Sequence, residues 1–91
     1  MLVALLAKDK DGALETRKSN RTSHLAYIED TGVVRQAGPI LDGDGEMAGS
    51  LIILDVADMA AAQSWADNDP YAKAGLFKSV DLVEWKRVVD Q

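Results

Sequence analysis

The chain contains two apolar runs without polar alternation, at residues 2–7 and 51–56. Runs of this length, bounded by charged or glycine-containing segments, are typical of strands that are buried on both faces. Two more mixed runs, at residues 33–37 and 80–89, predict two further strands. The first of these mixed strands is expected to run up to Gly38-Pro39.

Between the predicted strands at residues 2–7 and 33–37, the apolar positions change to helical spacing, from about Ala13 to Asp30. Gly32 is expected to stop this helix, and Asp11 or Gly12 to cap its start. His24 lies beside the repeating stripe of this helix. The positions that recur at steps of four and three are Leu14, Lys18, Arg21, Leu25 and Ile28.

A second helix is predicted from Met59 to about Asp67, with Asp58 as its N-cap. Its inner stripe would consist of Ala62, Trp65 and Ala66.

The chain changes direction sharply after this helix. Pro70 disfavours helical geometry at Asp69, so the helix should end near Asn68, and Gly75 gives the chain freedom to enter the last strand. Asp69 and Tyr71 would then stand on a rigid corner, where polar side chains can be aimed at a ligand. The simpler interpretation is a helix stop with a solvated aspartate.

The order of elements is β-α-β-β-α-β, which predicts an α+β, ferredoxin-like domain over residues 1–91. Right-handed crossovers favour an antiparallel sheet of strand order 4-1-3-2 with both helices on one face. The two central strands do not alternate, yet one face of the sheet has no helix to cover it. A second copy of the chain is the simplest cover, so we expect a homodimer.

Composition narrows the possible chemistry. The 91 residues include 10 basic and 15 acidic side chains, a net charge of −5, and no Lys/Arg-rich run, which argues against a nucleic-acid partner. The absence of cysteine excludes thiol catalysis and disulfides. The apolar start is too short for a membrane span and has no basic segment before it, so a cytoplasmic protein without a membrane partner is expected.

The acidic loop at residues 42–46 carries two Asp-Gly pairs, which predict a reversal of the chain. Asp42, Asp44 and Glu46 resemble the opening of a calcium loop, but the later ligands are missing. We therefore expect a mobile connection with no metal site.

His24 is the only imidazole of the chain. It could be a boundary histidine bonded to a backbone carbonyl or water. Alternatively, a carboxylate could fix its tautomer and make it a general acid or base at neutral pH. Arg21, on the same face, is either a solvated helix charge or the holder of an anionic group.

Several short motifs together resemble the YciI-like (YCII-related) family over nearly the whole chain. They are Arg17 with Arg21-x-x-His24-Leu25, Ala37-Gly38-Pro39, Gly49-Ser50, and Ala62-x-x-Trp65-Ala66-x-x-Asp69-Pro70-Tyr71-x-x-Ala74-Gly75. The resemblance implies a single YCII-related domain with a ferredoxin-like fold of the dimeric α+β barrel type, in agreement with the topology above.

The resemblance also implies a site in which His24 and Asp69 form an acid/base dyad. Arg21, Pro39, Ser50 and Tyr71 match motif positions that would surround it and bind substrate. One branch of the family removes chloride from a chlorinated hydroxyhydroquinone. This chain has a shorter segment between Pro39 and Gly49 than the longer relatives, so no particular substrate is carried over.

The sequence thus predicts a small homodimeric, enzyme-like protein that acts on a small organic molecule without a cofactor. Lyase, dehydrochlorinase-like or isomerase chemistry suits a His–Asp pair, because it needs no metal, nucleotide or covalent nucleophile. The alternative is a non-catalytic, dimeric ligand-binding or regulatory module. A third hypothesis is an interaction protein in which the contact between His24 and Asp69 is only structural.

Overall fold

A computed structural model describes residues 1–91 as one four-stranded antiparallel sheet with helices on one face. The sheet order is β2-β3-β1-β4, which confirms the ferredoxin-like arrangement that the sequence predicts. In chain order, the elements are β1 (Leu2–Asp9), α1 (Leu14–Thr31), β2 (Val34–Leu41), β3 (Met47–Asp55), α2 (Met59–Asn68), α3 (Pro70–Lys73) and β4 (Phe77–Trp85).

The edge strand β2 is longer than the sequence predicts, because it continues through Gly38-Pro39 to Leu41. Proline lacks the N–H that a central strand would need, but an edge strand pairs on one side only. Pro39 accordingly lies opposite Ser50 in the ladder between β2 and β3. The expectation that the strand would stop at the proline was wrong for this reason.

The bounds of the other strands also differ from the prediction. β3 begins at Met47, four residues early, since it must pair with the extended β2. β4 begins at Phe77 and ends at Trp85, so the predicted strand at 80–89 was placed too late. Its register against β1 ends with Leu2 opposite Trp85, where β1 has no further residue to pair.

The helix ends follow the predictions in part. Asp58 caps α2 by accepting a hydrogen bond from Ala61 N at 2.8 Å. Gly32 ends α1 with φ +66°, in the left-handed region that glycine adopts readily. The predicted caps Asp11 and Gly12 were wrong, because α1 starts after Ala13 with no side-chain hydrogen bond to its first turn.

The hydrophobic core lies between the sheet and α2. The predicted inner stripe of α2 is buried there, against inward-facing residues of the two central strands. The core residues are Val3, Leu5, Ala7, Ile52, Leu54, Ala62, Trp65 and Ala66.

The predicted stripe of α1 was wrong in its middle, where Lys18, Arg21 and Leu25 are exposed, whereas Ile28 packs against the core as a stripe residue should. Leu25 is 49% exposed, whereas Arg17 and His24 are the buried residues of this helix. A polar side chain can take such a position only when hydrogen bonds replace those that it loses to water. The inward face of α1 therefore combines the buried polar residues Arg17 and His24, whose partners lie on other elements, with Tyr27 and Ile28, which pack against the core.

The face of the sheet opposite the helices is apolar and open. Leu6 and Leu51 lie opposite each other on the two central strands and are 42% and 43% exposed. Val83 and Trp85 extend this face along β4, with exposures of 54% and 39%.

None of the helices combines the length and the apolar character that a membrane crossing requires.

Between β2 and β3, the carboxylate of Asp42 accepts hydrogen bonds from the backbone N–H groups of Asp44 and Glu46 at 2.9 and 3.0 Å.

Candidate functional site

A cleft of about 160 Å³ opens between α1 and the β2–β3 side of the sheet. One part of its wall is polar and comes mainly from α1, consisting of Arg17, Arg21, His24, Ser50 and Tyr71. The rest of the lining is apolar and consists mainly of Leu25 and Ile28 of α1 with Pro39, Met47 and Ile52 of β2 and β3. The cleft can therefore hold a molecule that has both a polar and an apolar part.

His24 and Asp69 meet behind the polar wall, with His24 Nδ1 2.8 Å from Asp69 Oδ1. The side chains are 8% and 1% exposed, so the contact is shielded from water. An ionised carboxylate can only accept, so Nδ1 carries the hydrogen and donates it. In the neutral ring Nε2 is then left as an acceptor.

The corner between α2 and α3 holds Asp69 in place. Asp69 is the N-cap of α3, and its Oδ1 also accepts a hydrogen bond from Tyr71 N at 3.0 Å. Pro70 occupies the first position of α3, where its fixed φ suits a helix start. The other oxygen, Oδ2, is buried without a hydrogen-bond partner. One oxygen thus fixes both the corner and the imidazole.

Two hydrogen bonds between α1 and α2 fix the separation of these helices, which places His24 within reach of Asp69. The Tyr27 hydroxyl donates to the backbone carbonyl of Trp65 at 2.8 Å. Trp65 Nε1 donates to Thr31 Oγ1 at 2.9 Å. His24 lies one turn before Tyr27, so the position of its ring follows from the docking of the two helices.

Tyr71 forms the floor beside His24. The two rings stack with centroids 3.9 Å apart and planes 15° apart, and the Arg17 guanidinium lies 4.7 Å from the Tyr71 centroid. Burial raises the pKa of the Tyr71 phenol, although the nearby charges of Arg17 and Arg21 lower it in part. The phenol is therefore neutral at physiological pH and can donate a hydrogen bond.

A second buried ion pair supports the polar wall. Arg17 donates from Nε and from a terminal nitrogen to the two oxygens of Asp9, at 2.7 and 2.9 Å. It also donates to Ser50 Oγ at 2.9 Å. Burial by itself would lower the pKa of Arg17, but the hydrogen bonds and charge of Asp9 raise it overall. The pair joins β1, α1 and β3 beneath the cleft.

All six residues that the sequence singled out come to one place in the structure. Five of them line the cleft, and Asp69 lies directly behind His24. The exposed Arg21 projects from α1, Pro39 belongs to the β2 wall, and the buried Ser50 is tied to Arg17.

The Asp9–Arg17 pair was not predicted, although the sequence around each of the two residues contains an indication of it. Asp9 follows Val3, Leu5 and Ala7 at the inward positions of β1, where a carboxylate requires a partner. Arg17 begins the series 17, 21, 24 and 28, which follows one face of a helix. Neither pattern alone shows that the two residues pair.

Comparison with known proteins gives a consistent family assignment. The model of the YCII-related domain family matches residues 1–86. Protein YciI of Escherichia coli is 37% identical over 97 aligned positions, which cover 97% of this chain and 99% of the relative. An uncharacterized protein of Haemophilus influenzae is 29% identical with the same coverage.

Among solved structures, the chain is similar to a 5-chloro-2-hydroxyhydroquinone dehydrochlorinase from Burkholderia phenoliruptrix. That protein was solved in complex with 2,5-dihydroxybenzoquinone. The two are 35% identical and superpose with a TM-score of 0.88 over 94% of each chain.

Proposed function

This chain belongs to the YCII-related domain family, and from that premise we propose that it is a small enzyme-like protein working through a His24–Asp69 acid/base pair. Residues 1–91 would act as one functional domain on a small organic molecule. The reaction class would be a lyase, dehydrochlorinase-like or isomerase reaction. The single observation that carries this proposal is the 2.8 Å contact between His24 and Asp69 behind the wall of a cleft.

The chemistry of the pair follows from the orientation of the ring. With Nδ1 donating to Asp69, Nε2 can accept a proton from a ligand in the cleft. The carboxylate then stabilises the imidazolium that forms, and the same nitrogen can return the proton in a later step. An elimination needs this base for the proton and a leaving group that departs with its electron pair. A His–Asp pair is sufficient for that step without a cofactor.

Arg21, Pro39, Ser50 and Tyr71 are proposed as the substrate-binding residues. They surround His24 in the cleft with different properties, a cation, an apolar wall and two hydroxyl groups. An apolar cavity of about 150 Å³ is large enough for benzene, so a cleft of about 160 Å³ suits a single-ring molecule. The ligand of the similar dehydrochlorinase, 2,5-dihydroxybenzoquinone, is of this size.

We also propose that the protein acts as a homodimer. The open sheet face carries Leu6, Leu51, Val83 and Trp85, and each is more than a third exposed in the single chain. Packing this face against the same face of a second copy would remove these side chains from water.

The proposal is tested by chloride release from 5-chloro-2-hydroxyhydroquinone, the compound named for the similar dehydrochlorinase. If the chain turns it over, His24→Gln should reduce the rate about 10²–10⁴-fold, the usual contribution of general acid–base catalysis. Asp69→Asn should keep the fold, because asparagine can also cap α3, but it should impair turnover, because the amide carries no charge.

A rate that His24→Gln leaves unchanged would refute the acid/base role. If chloride is not released, the compounds that co-purify with the protein should be identified by mass spectrometry and assayed in the same way. Tight binding of such a compound without conversion, unaffected by His24→Gln, would favour the ligand-binding module.

A further inference from the structure

The charged side chains of the cleft differ in whether they have a partner. Arg17 is neutralised by Asp9 through two hydrogen bonds, and His24 is bonded to Asp69. Arg21 has no ion pair and no hydrogen bond within the chain, yet it lines the same cleft. It is therefore the one charged group of the cleft whose counter-charge is missing.

Two neutral polar groups of the cleft can still bond a ligand. Arg17 lies close enough to donate to the Tyr71 hydroxyl, but an arginine cannot accept, so the O–H of Tyr71 remains available at the cleft wall. His24 uses Nδ1 for Asp69 and leaves Nε2 free. Burial raises the pKa of the Tyr71 phenol and the charge of Arg21 offsets part of this increase, while both residues line the cleft. A ligand in the cleft can accept a hydrogen bond from this neutral hydroxyl.

We propose that the cleft selects an organic anion of about the size of one six-membered ring, and that Arg21 is the residue that distinguishes the anion from its neutral analogue. The proposal rests on the site described under the proposed function and names the class of ligand that fits it. The charged oxygen of the ligand would accept hydrogen bonds from Arg21 and Tyr71, within reach of His24 Nε2.

The apolar wall fixes the rest of the ligand. Pro39, Met47 and Ile52 lie on β2 and β3, across the cleft from α1, and offer no hydrogen-bonding side chain. A ring can cover these side chains while its acidic oxygen faces α1. A larger or fully polar anion would leave one of the two walls unmatched.

The net charge of the protein does not itself favour an anionic ligand. The chain carries 15 acidic and 10 basic residues, so its net charge of −5 repels anions at a distance. A preference for an anion over an uncharged molecule of the same shape therefore has to come from contacts inside the cleft. An unpaired guanidinium is suited to this, because it can donate two parallel hydrogen bonds to a carboxylate or a similar group.

The experiment compares benzoate with benzamide, which match in size and differ in charge. Dissociation constants are measured by titration with detection of backbone amide shifts, so no turnover is needed. The wild-type protein should bind benzoate about tenfold more tightly than benzamide, as expected for a hydrogen bond to a charged group. Arg21→Gln should abolish this difference, and Tyr71→Phe should weaken benzoate binding while the stacked ring is retained.

Lys18→Gln is the matched control. It removes the same charge from the same helix, but Lys18 does not line the cleft. This variant should therefore keep the preference for benzoate.

The inference would be overturned by equal affinity for both compounds, by an undiminished preference in Arg21→Gln, or by no shift at the cleft residues with either compound. Loss of the preference in Lys18→Gln would also overturn it, since the effect would then be one of net charge. The acid/base proposal has a separate readout, because it fails only when the rate of a reaction is independent of His24.

Discussion

Tyr27 and Tyr71 are the only two tyrosines of the chain, and the environment of each raises its pKa above the ordinary value of 10.0. Burial is the main cause at both positions, and the charge of Asp69 acts in the same direction. Because the neutral phenols are favoured in the folded state, their contribution to stability is fully present below pH 10. It is lost as the pH rises through the raised pKa values.

We therefore expect the native protein to show less tyrosinate ionisation at pH 10 than the unfolded chain, which is about half ionised there at its two tyrosines. Ultraviolet absorbance of tyrosinate, recorded with and without denaturant, measures both states. Tyr27→Phe and Tyr71→Phe assign the two steps. Native absorbance that follows the unfolded curve would contradict the burial of the phenols.

Besides His24 and Asp69, the residues Arg17 and Asp9 form a buried ion pair. The free energy of unfolding should depend on whether one of these two charges is removed or both. Arg17→Met leaves the Asp9 carboxylate buried without a partner and should destabilise the fold by about 3–5 kcal/mol. The double variant Asp9→Leu/Arg17→Met removes both charges and should recover most of this loss. Urea unfolding of the three proteins measures the effect. A double variant as unstable as the single one would show that the unpaired charge is not the cause.

At the level of the elements, β3 passes very close to β1 at Gly49. A Cβ added at this position would collide with the backbone carbonyl oxygen of Ala7, which cannot move aside without shifting β1. Gly49→Ala should therefore destabilise the protein by about 1–3 kcal/mol, as overpacking does elsewhere.

Gly38 in the edge strand is the matched control for this effect. A Cβ there would meet no atom within 4 Å. Gly38→Ala should be neutral or slightly stabilising in thermal or urea unfolding, since alanine loses less backbone entropy on folding. Equal losses in the two variants would mean that glycine content, and not the contact with Ala7, sets the cost.

The elements also show how far the sequence could predict the fold and the site. Strand order followed from the apolar runs and the handedness of the crossovers. The prediction failed where a partner remote in sequence overrides a local pattern. Arg17 and His24 are buried on the inward face of α1 because Asp9 and Asp69 supply their partners. β2 passes through a proline because only one of its sides is paired. The Asp9–Arg17 pair was not predicted, since the two residues lie on different elements and no local sequence pattern relates them.

For the whole molecule, the open sheet face predicts the state of association. Leu51 lies on a central strand of this face and is already 43% exposed in the single chain. Leu51→Asp should therefore leave the monomer folded but place a charge in the proposed dimer interface, which would dissociate it. Sedimentation at micromolar concentration measures the change.

Val88→Asp is the control, because Val88 lies beyond β4 and is 83% exposed. This variant should remain dimeric. A monomeric wild-type protein, or a Leu51→Asp variant that stays dimeric, would contradict the proposed interface.

Pro39 has a consequence beyond the wall that it gives to the cleft. It lies in the edge strand β2 and offers no N–H to an approaching chain. The other edge, β4, carries the exposed charged side chains Lys78, Asp81 and Glu84. Both margins of the sheet thus discourage the addition of a foreign strand, the contact from which fibrils and swapped chains grow. The proline that forms part of the cleft wall is thus also one of the features that keep this edge from accepting another strand.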